Sequence, residues 1–181
     1  MSAATMVRSA VLGGPGDCWR LELRRIWDEG KPLLVVCMLN PSDADAERDD
    51  PTILVLIWFA TLWGYGGLLV VNLFAFRTSR PAELFSALER GGDVVGRQTG
   101  AYIEDALTYA EQHGGKVLVA WGNGGGDSDG RDDWFVSRAR SAHKCDLICL
   151  GTTRSQMPKH PMARGKHRIP RDQQPILWRA A

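Results

Sequence analysis

Leu33-Leu34-Val35-Val36-Cys37-Met38-Leu39, followed at once by Asn40-Pro41-Ser42, decides the fold. A short, continuously apolar run of this kind is the pattern of a parallel strand covered on both faces. Asn and Pro favour turns, so the strand ends at Asn40. In an open parallel α/β sheet the carboxyl ends of the strands open into one crevice, and ligands bind there. Asn40-Pro41-Ser42 is thereby placed at the mouth of a site.

Outward from this strand, the chain alternates strand and helix. An acidic loop (Asp43, Asp45, Glu47, Asp49, Asp50) leads to Asp50-Pro51, a capping carboxylate before a proline suited to the first helical position. A helix is predicted over 51–63, apolar nearly all round and therefore well buried. Further strands are predicted at 68–73, 117–121 and 146–150, with helices at 81–90, within 94–113, and at 132–142. The order argues for a three-layer α/β/α sandwich around a central four-stranded parallel sheet. Residues 18–26 alternate Trp19, Leu21 and Leu23 with Arg20, Glu22 and Arg24, which predicts a half-exposed strand at a sheet edge. Residues 1–17, small and Gly-rich at first, are expected to be a loose N-terminal segment before a single domain spanning 18–181.

The length of 181 residues suits one domain with a sizeable core. Four cysteines are too few for a disulfide scaffold, and their spacing is poor for an iron–sulfur cluster. The run 53–71 has no charged residue, but Gly64, Gly66 and Gly67 interrupt it, so it reads as helix, turn and strand, with no membrane span. The first residues lack a basic segment followed by an apolar one, and a cytoplasmic location is expected. Residues 151–181 hold seven Lys/Arg and one acid, a local charge of +6, while the rest of the chain is −5. A basic segment of this kind suits a polyanionic partner.

The residues that carry chemistry lie at predicted strand ends. Asn40 both donates and accepts through its amide, so it can orient a nucleophile without deprotonating it. His160, in Lys159-His160-Pro161, can donate to a leaving group that develops negative charge. Asn72 ends the strand at 68–73 and suits a ligand edge of mixed donors and acceptors. Asp43 and Asp45 are left over from helix capping as a general base or metal ligands. The glycine-rich loop 122–130 lacks the Gly-x4-Gly-Lys-Ser/Thr pattern of a phosphate loop.

Taken in order, these motifs resemble those of the uracil-DNA glycosylase superfamily, in its mismatch-specific branch. The chain also resembles a family of uncharacterised bacterial and phage proteins with the same Leu-Asn-Pro-Ser, Asp-Pro-Thr and Pro-Lys-His-Pro blocks. Met38-Leu39-Asn40-Pro41-Ser42 looks like Gly-Ile-Asn-Pro-Gly, Val71-Asn72-Leu73 like the strand whose Asn reads the base, Val119-Ala120-Trp121-Gly122 like the strand ending in Trp-Gly, and His160-Pro161 like the start of His-Pro-Ser-Pro. Met162-Ala163 stands in place of Ser-Pro. The resemblance implies a glycosylase-like fold and excision of a flipped base, leaving an abasic site. Asn40 would place the water, with help from Asp43, and His160 would stabilise the departing base. Pro41, Ser42 and Asn72 would hold the base, Phe74 or Phe76 would stack on it, and Lys159, Arg164, Lys166 and Arg168 would contact DNA. Ser42 stands where the uracil-specific branch has an aromatic ring, so a bulky C5 group would fit: a hydroxymethylated or glucosylated pyrimidine of phage DNA, with a role in antiviral defence. The expectations are a monomeric, monofunctional DNA N-glycosylase with no metal or other cofactor. The alternatives are a non-catalytic DNA-binding module and a metal-dependent nucleotide or nucleoside hydrolase.

Overall fold

The computed structural model describes residues 6–127 and 129–181. Its seven strands are β1 (Val7–Gly13), β2 (Trp19–Ile26), β3 (Leu33–Met38), β4 (Gly67–Asn72), β5 (Lys116–Val119), β6 (Asp146–Cys149) and β7 (Ile176–Arg179). They form one mixed sheet in the order β1-β2-β4-β3-β5-β6-β7. The four expected strands are β4, β3, β5 and β6, mutually parallel and central. The purely four-stranded parallel sheet read from the sequence is therefore corrected. β2 extends it antiparallel on one side, carrying β1, and β7 does so on the other.

β3 is buried along its whole length. Leu34, Val36 and Met38 face a core shared with helix α1 (Pro51–Leu62), while Leu33, Val35 and Cys37 face one shared with α3 (Thr99–Gln112). The remaining helices are α2 (Pro81–Glu89) and α4 (Arg131–Ser137), the latter prolonged by a π turn over 138–142. Asp50 caps α1 as expected, its Oδ1 accepting from Ile53 N at 2.8 Å, with Pro51 in the first turn. The expectation that α1 is buried nearly all round is corrected: Ile53, Leu56, Phe59 and Ala60 face the core, but Leu54, Trp58 and Leu62 are exposed. Among the described residues no helix is long and apolar enough to cross a membrane.

Three further readings change. Residues 7–13, expected to be loose, pair with β2 as the true sheet edge; residues 1–5 of that segment lie outside the described residues. β2 is thus an interior strand, and Arg20, Glu22 and Arg25 on it are buried. The β1–β2 ladder shifts register between Val11 and Leu12, so Leu21 has no partner on β1. Such a bulge re-aims the adjacent side chain, and Arg20 reaches the loop after β3, donating from Nη1 to Ala44 O at 2.8 Å.

Candidate functional site

β3 lies between β4, its parallel successor through α1, and β5. The connections therefore diverge at its carboxyl end, which is the switch point where open α/β sheets form their crevice. Beyond the strands, Leu73 N bonds Met38 O and Phe74 N bonds Leu39 O, so β3 and β4 stay together into the site. The loop after β5 crosses close by: a Cβ on Gly124 would sit 2.7 Å from Leu39 Cδ2, so a side chain there would displace the Leu39 side chain. The segment after β6 is strapped on top by Gly122 N to Pro158 O at 2.8 Å and Lys159 N to Gly151 O at 2.9 Å. Gly122, at φ +68°, makes a left-handed turn beside His160.

Asn40 is held by its amide nitrogen, which donates to the carbonyls of Pro41 (3.0 Å), Phe76 (3.4 Å) and Thr78 (2.8 Å). Three carbonyl neighbours require the NH₂ group at that position, which fixes the orientation of the amide. No hydrogen bond to Oδ1 occurs among the described residues, and that oxygen is left as the acceptor. His160 is fixed in a complementary way. Its Nδ1 faces the backbone N–H of Met162 at 3.2 Å and accepts from it, so the neutral ring carries its proton on Nε2. Burial pushes the imidazole below its usual value, against the opposing pull of Asp50, and favours this neutral form. The ring lines a cavity of about 310 Å³ with Gly122, Asn123, Lys159 and Arg164.

Asn72 is 2% exposed, paired in register with Met38, and its Nδ2 has no partner. It belongs to a larger pattern. The buried side-chain polar atoms without a partner among the described residues are Arg20 Nε, Asn72 Nδ2, Arg77 Nε, Trp121 Nε1 and Arg131 Nη2. All are N–H donors, and all sit at this end of the sheet. Asn72 ends β4, Arg77 follows in its loop, and Trp121 lies just past β5. Arg131 Nε donates to Leu73 O, and Arg20 N to Ala75 O. Buried donors normally have acceptors, so this edge carries N–H groups that water or a ligand can satisfy.

The acidic loop is largely committed to its own architecture. Asp45 accepts from the N–H groups of Glu47 and Arg48. Asp49 meets Arg25 Nε at 2.6 Å, and Arg25, fully buried, also donates to the carbonyls of Asp45 and Arg48. Asp43 is exposed and lines a cavity of about 500 Å³ with Asp49, Asp50, Arg48 and Arg77. Among the described residues no group of three or more His, Cys, Asp or Glu is placed to hold a metal ion.

The remaining expectations divide. Pro41 is buried, its carbonyl accepting from Thr78 N at 2.9 Å, and Ser42 is half-buried beside it in sequence. Lys159 and Arg164 line the His160 cavity, Arg164 and Arg168 line its neighbour, and Lys166 is exposed on the turn over 165–167. Phe74 is corrected: it is fully buried among Leu73, Leu84 and Val94 and offers no stacking surface. Alternation along β4 puts Asn72 on the α1 face, and the next two side chains both turn to the opposite core. Sequence reasoning missed Arg20, Arg77 and Asp50. Arg20 sat in an alternating strand whose polar positions read as solvent-facing, Asp50 was accounted for as a helix cap, and nothing in the sequence around Arg77 marks it.

A family described as "Protein of unknown function (DUF1643)" matches residues 20–162, a span that contains Asn40, Asn72, Arg77 and His160 and stops short of most of the basic tail. No curated protein and no solved structure matches the chain.

Proposed function

The chain belongs to the DUF1643 family, and we propose that it is a DNA N-glycosylase that removes a modified pyrimidine and leaves an abasic site. The reading is supported by the opposed, fixed polarities of two side chains in loops at the carboxyl end of the sheet, one after β3 and one after β6: Asn40 presents an acceptor oxygen and His160 a neutral Nε2–H donor.

The target nucleotide leaves the duplex at an unstacking cost of a few kcal/mol. Its base meets the unpartnered Asn72 amide, since a pyrimidine edge carries the acceptors this donor lacks. The bond between C1′ and the base nitrogen breaks with its electron pair passing to the base, and the sugar takes on oxocarbenium character. His160 donates from Nε2 to the base as negative charge develops there, the kind of interaction that strengthens in the transition state. Water held by Asn40 Oδ1 adds at C1′, and Asp43, three residues on and without a partner among the described residues, takes its proton. Ser42 leaves room at the C5 position, so hydroxymethylated or glucosylated cytosine is the substrate proposed, and defence against phage carrying such bases is the role that follows. Lys159, Arg164 and Arg168 would hold the DNA backbone.

The test is an abasic-site assay. The protein is incubated with DNA carrying modified cytosines, with uracil-containing DNA and with ordinary DNA, and each is then treated with mild alkali. Strand breaks confined to modified DNA, and lost in Asn40→Ala and His160→Ala, are the expected result. DNA retention with no breaks in any substrate would replace the enzyme with a binding module.

A further inference from the structure

Arg20 and Arg77 are two guanidinium groups brought to the same end of the sheet, and both are incompletely satisfied. Arg20 is 2% exposed; its Nη1 donates to Ala44 O and its Nε to nothing. Arg77 donates from Nη1 to Asp17 O at 3.3 Å, and its buried Nε likewise has no acceptor. Backbone bonds set them side by side on paired segments, Arg20 N to Ala75 O and Arg77 N to Cys18 O, both at 2.9 Å; burial chiefly lowers the Arg20 guanidinium to about 10, with Asp50 opposing and Arg77 adding to the fall. Two like charges held together, each with a free N–H, are the arrangement that an oxyanion stabilises, since guanidinium groups bind phosphate by directed, charge-assisted hydrogen bonds.

The surroundings select among oxyanions. Arg77 lines the cavity of about 500 Å³, which is larger than an inorganic anion and has room for whatever the anion is attached to. Of the carboxylates in its wall, Asp49 is neutralised by Arg25 and Arg8, and Asp50 caps α1 while also facing Arg20. Asp43, exposed, is free to accept from a hydroxyl or amino group on the attached moiety. The chain itself ties this cavity to the Asn40 site: the carbonyls that clamp Asn40 belong to Phe76 and Thr78, the residues on either side of Arg77. The Arg77 backbone is thereby fixed beside the Asn40 clamp, one residue from each of the two carbonyls.

We infer that Arg20 and Arg77 form a receptor for the phosphate group of a nucleotide whose base enters the Asn40–His160 crevice, an inference that rests on the nucleotide reading above for its ligand class but not on catalysis. The phosphate belongs either to a polynucleotide backbone or to a free mononucleotide, and the chemistry of recognition is the same.

The experiment is calorimetric titration at low ionic strength of the wild-type protein, Arg77→Gln, Arg77→Lys and His160→Ala with inorganic phosphate, deoxycytidine, deoxycytidine 5′-monophosphate and a short oligodeoxynucleotide. The monophosphate is expected to bind about tenfold or more tightly than deoxycytidine, inorganic phosphate to compete with it, and Arg77→Gln to lose about tenfold, the size of one charged hydrogen bond. Arg77→Lys keeps the charge without the fork and loses less; it replaces Arg77→Gln if that variant does not fold. An oligonucleotide that binds tenfold more tightly than the monophosphate assigns the site to a DNA backbone, and equal affinity assigns it to a free nucleotide. Equal binding of deoxycytidine and its monophosphate, or wild-type phosphate affinity in both Arg77 variants, overturns the receptor. Phosphate binding that survives in His160→Ala while no abasic sites form with the wild type would retire the glycosylase reading and leave the receptor standing.

Discussion

Asn40 Nδ2 lies 2.8 Å from the carbonyl oxygen of Thr78, so a side chain joins the loop after β3 to the loop after β4 where the backbone ladder has ended. With Phe76 O and Pro41 O at the same nitrogen, the amide is a structural clamp on one side and an open acceptor on the other.

This double use sets a prediction for Asn40→Asp. The substitution removes a donor shared by three carbonyls, of which Pro41 O keeps its bond from Thr78 N, and places a carboxylate against them. A stability loss of about 2 kcal/mol is expected, from carbonyls left unpaired and a charge without a partner. Asn40→Ala, which adds no charge, should lose less. Urea denaturation of the two variants checks the order; an Asp variant as stable as wild type would show that the amide nitrogen does no clamping.

Arg25 holds the acidic loop from below. It is fully buried and bonds Asp49 at 2.6 Å and four backbone carbonyls, those of Ser9, Arg24, Asp45 and Arg48. Removing one partner of a buried ion pair costs about 3–5 kcal/mol, and Asp49→Asn should fall near the lower end because the carbonyls remain. Arg25→Met should lose at least as much and also loosen the Asp43 cavity. Chemical denaturation with hydrogen exchange over 43–50 measures both effects.

The buried His160 imidazole gives a pH dependence with a definite sign. Its folded-state value lies below the ordinary 6.5, so below pH 6.5 the unfolded chain takes up a proton that the folded chain resists. The histidine therefore costs stability as the pH falls through 6.5 toward the depressed value, and costs none above. His160→Gln should remove that acid-side slope. Under the proposed chemistry, excision stays level from alkaline pH through 6.5 and declines only below it, where Nδ1 gains a proton and its bond from Met162 N is lost. Because Asp50 pulls the value upward, Asp50→Asn should move the decline to still lower pH. A rate that already falls between pH 8 and 7 would contradict the neutral-donor role.

Much of this architecture was legible in local pattern. The continuous apolar runs at 33–39 and 146–150, the Asp50-Pro51 helix start and the glycine stops marked the central strands and α1 with small errors in their ends. The outer strands were not legible. Residues 7–13 and 176–179 carry no strong alternation, and they become strands because β2 and β6 offer them open edges. α1 illustrates the same limit from the other side: apolar residues all round predict burial, yet the tertiary structure leaves Leu54 and Trp58 more than half exposed, with Arg171 from the C-terminal segment set against the Trp58 ring.

The site divides along the same line. Position directly after apolar strands was enough to place Asn40 and Asn72 at the carboxyl edge, whereas His160, in a loop well beyond β6, is brought there by the bonds of Gly122 N to Pro158 O and Lys159 N to Gly151 O. Sequence could not say that Phe74 turns into the core, that a bulge at Leu21 aims Arg20 at the loop after β3, or that Arg77 stands beside it. Local periodicity determines which segments become strands and helices. Which donors are left without acceptors depends on groups far apart in the chain arriving together, and that was settled only when the sheet, its edges and its crossing loops were assembled.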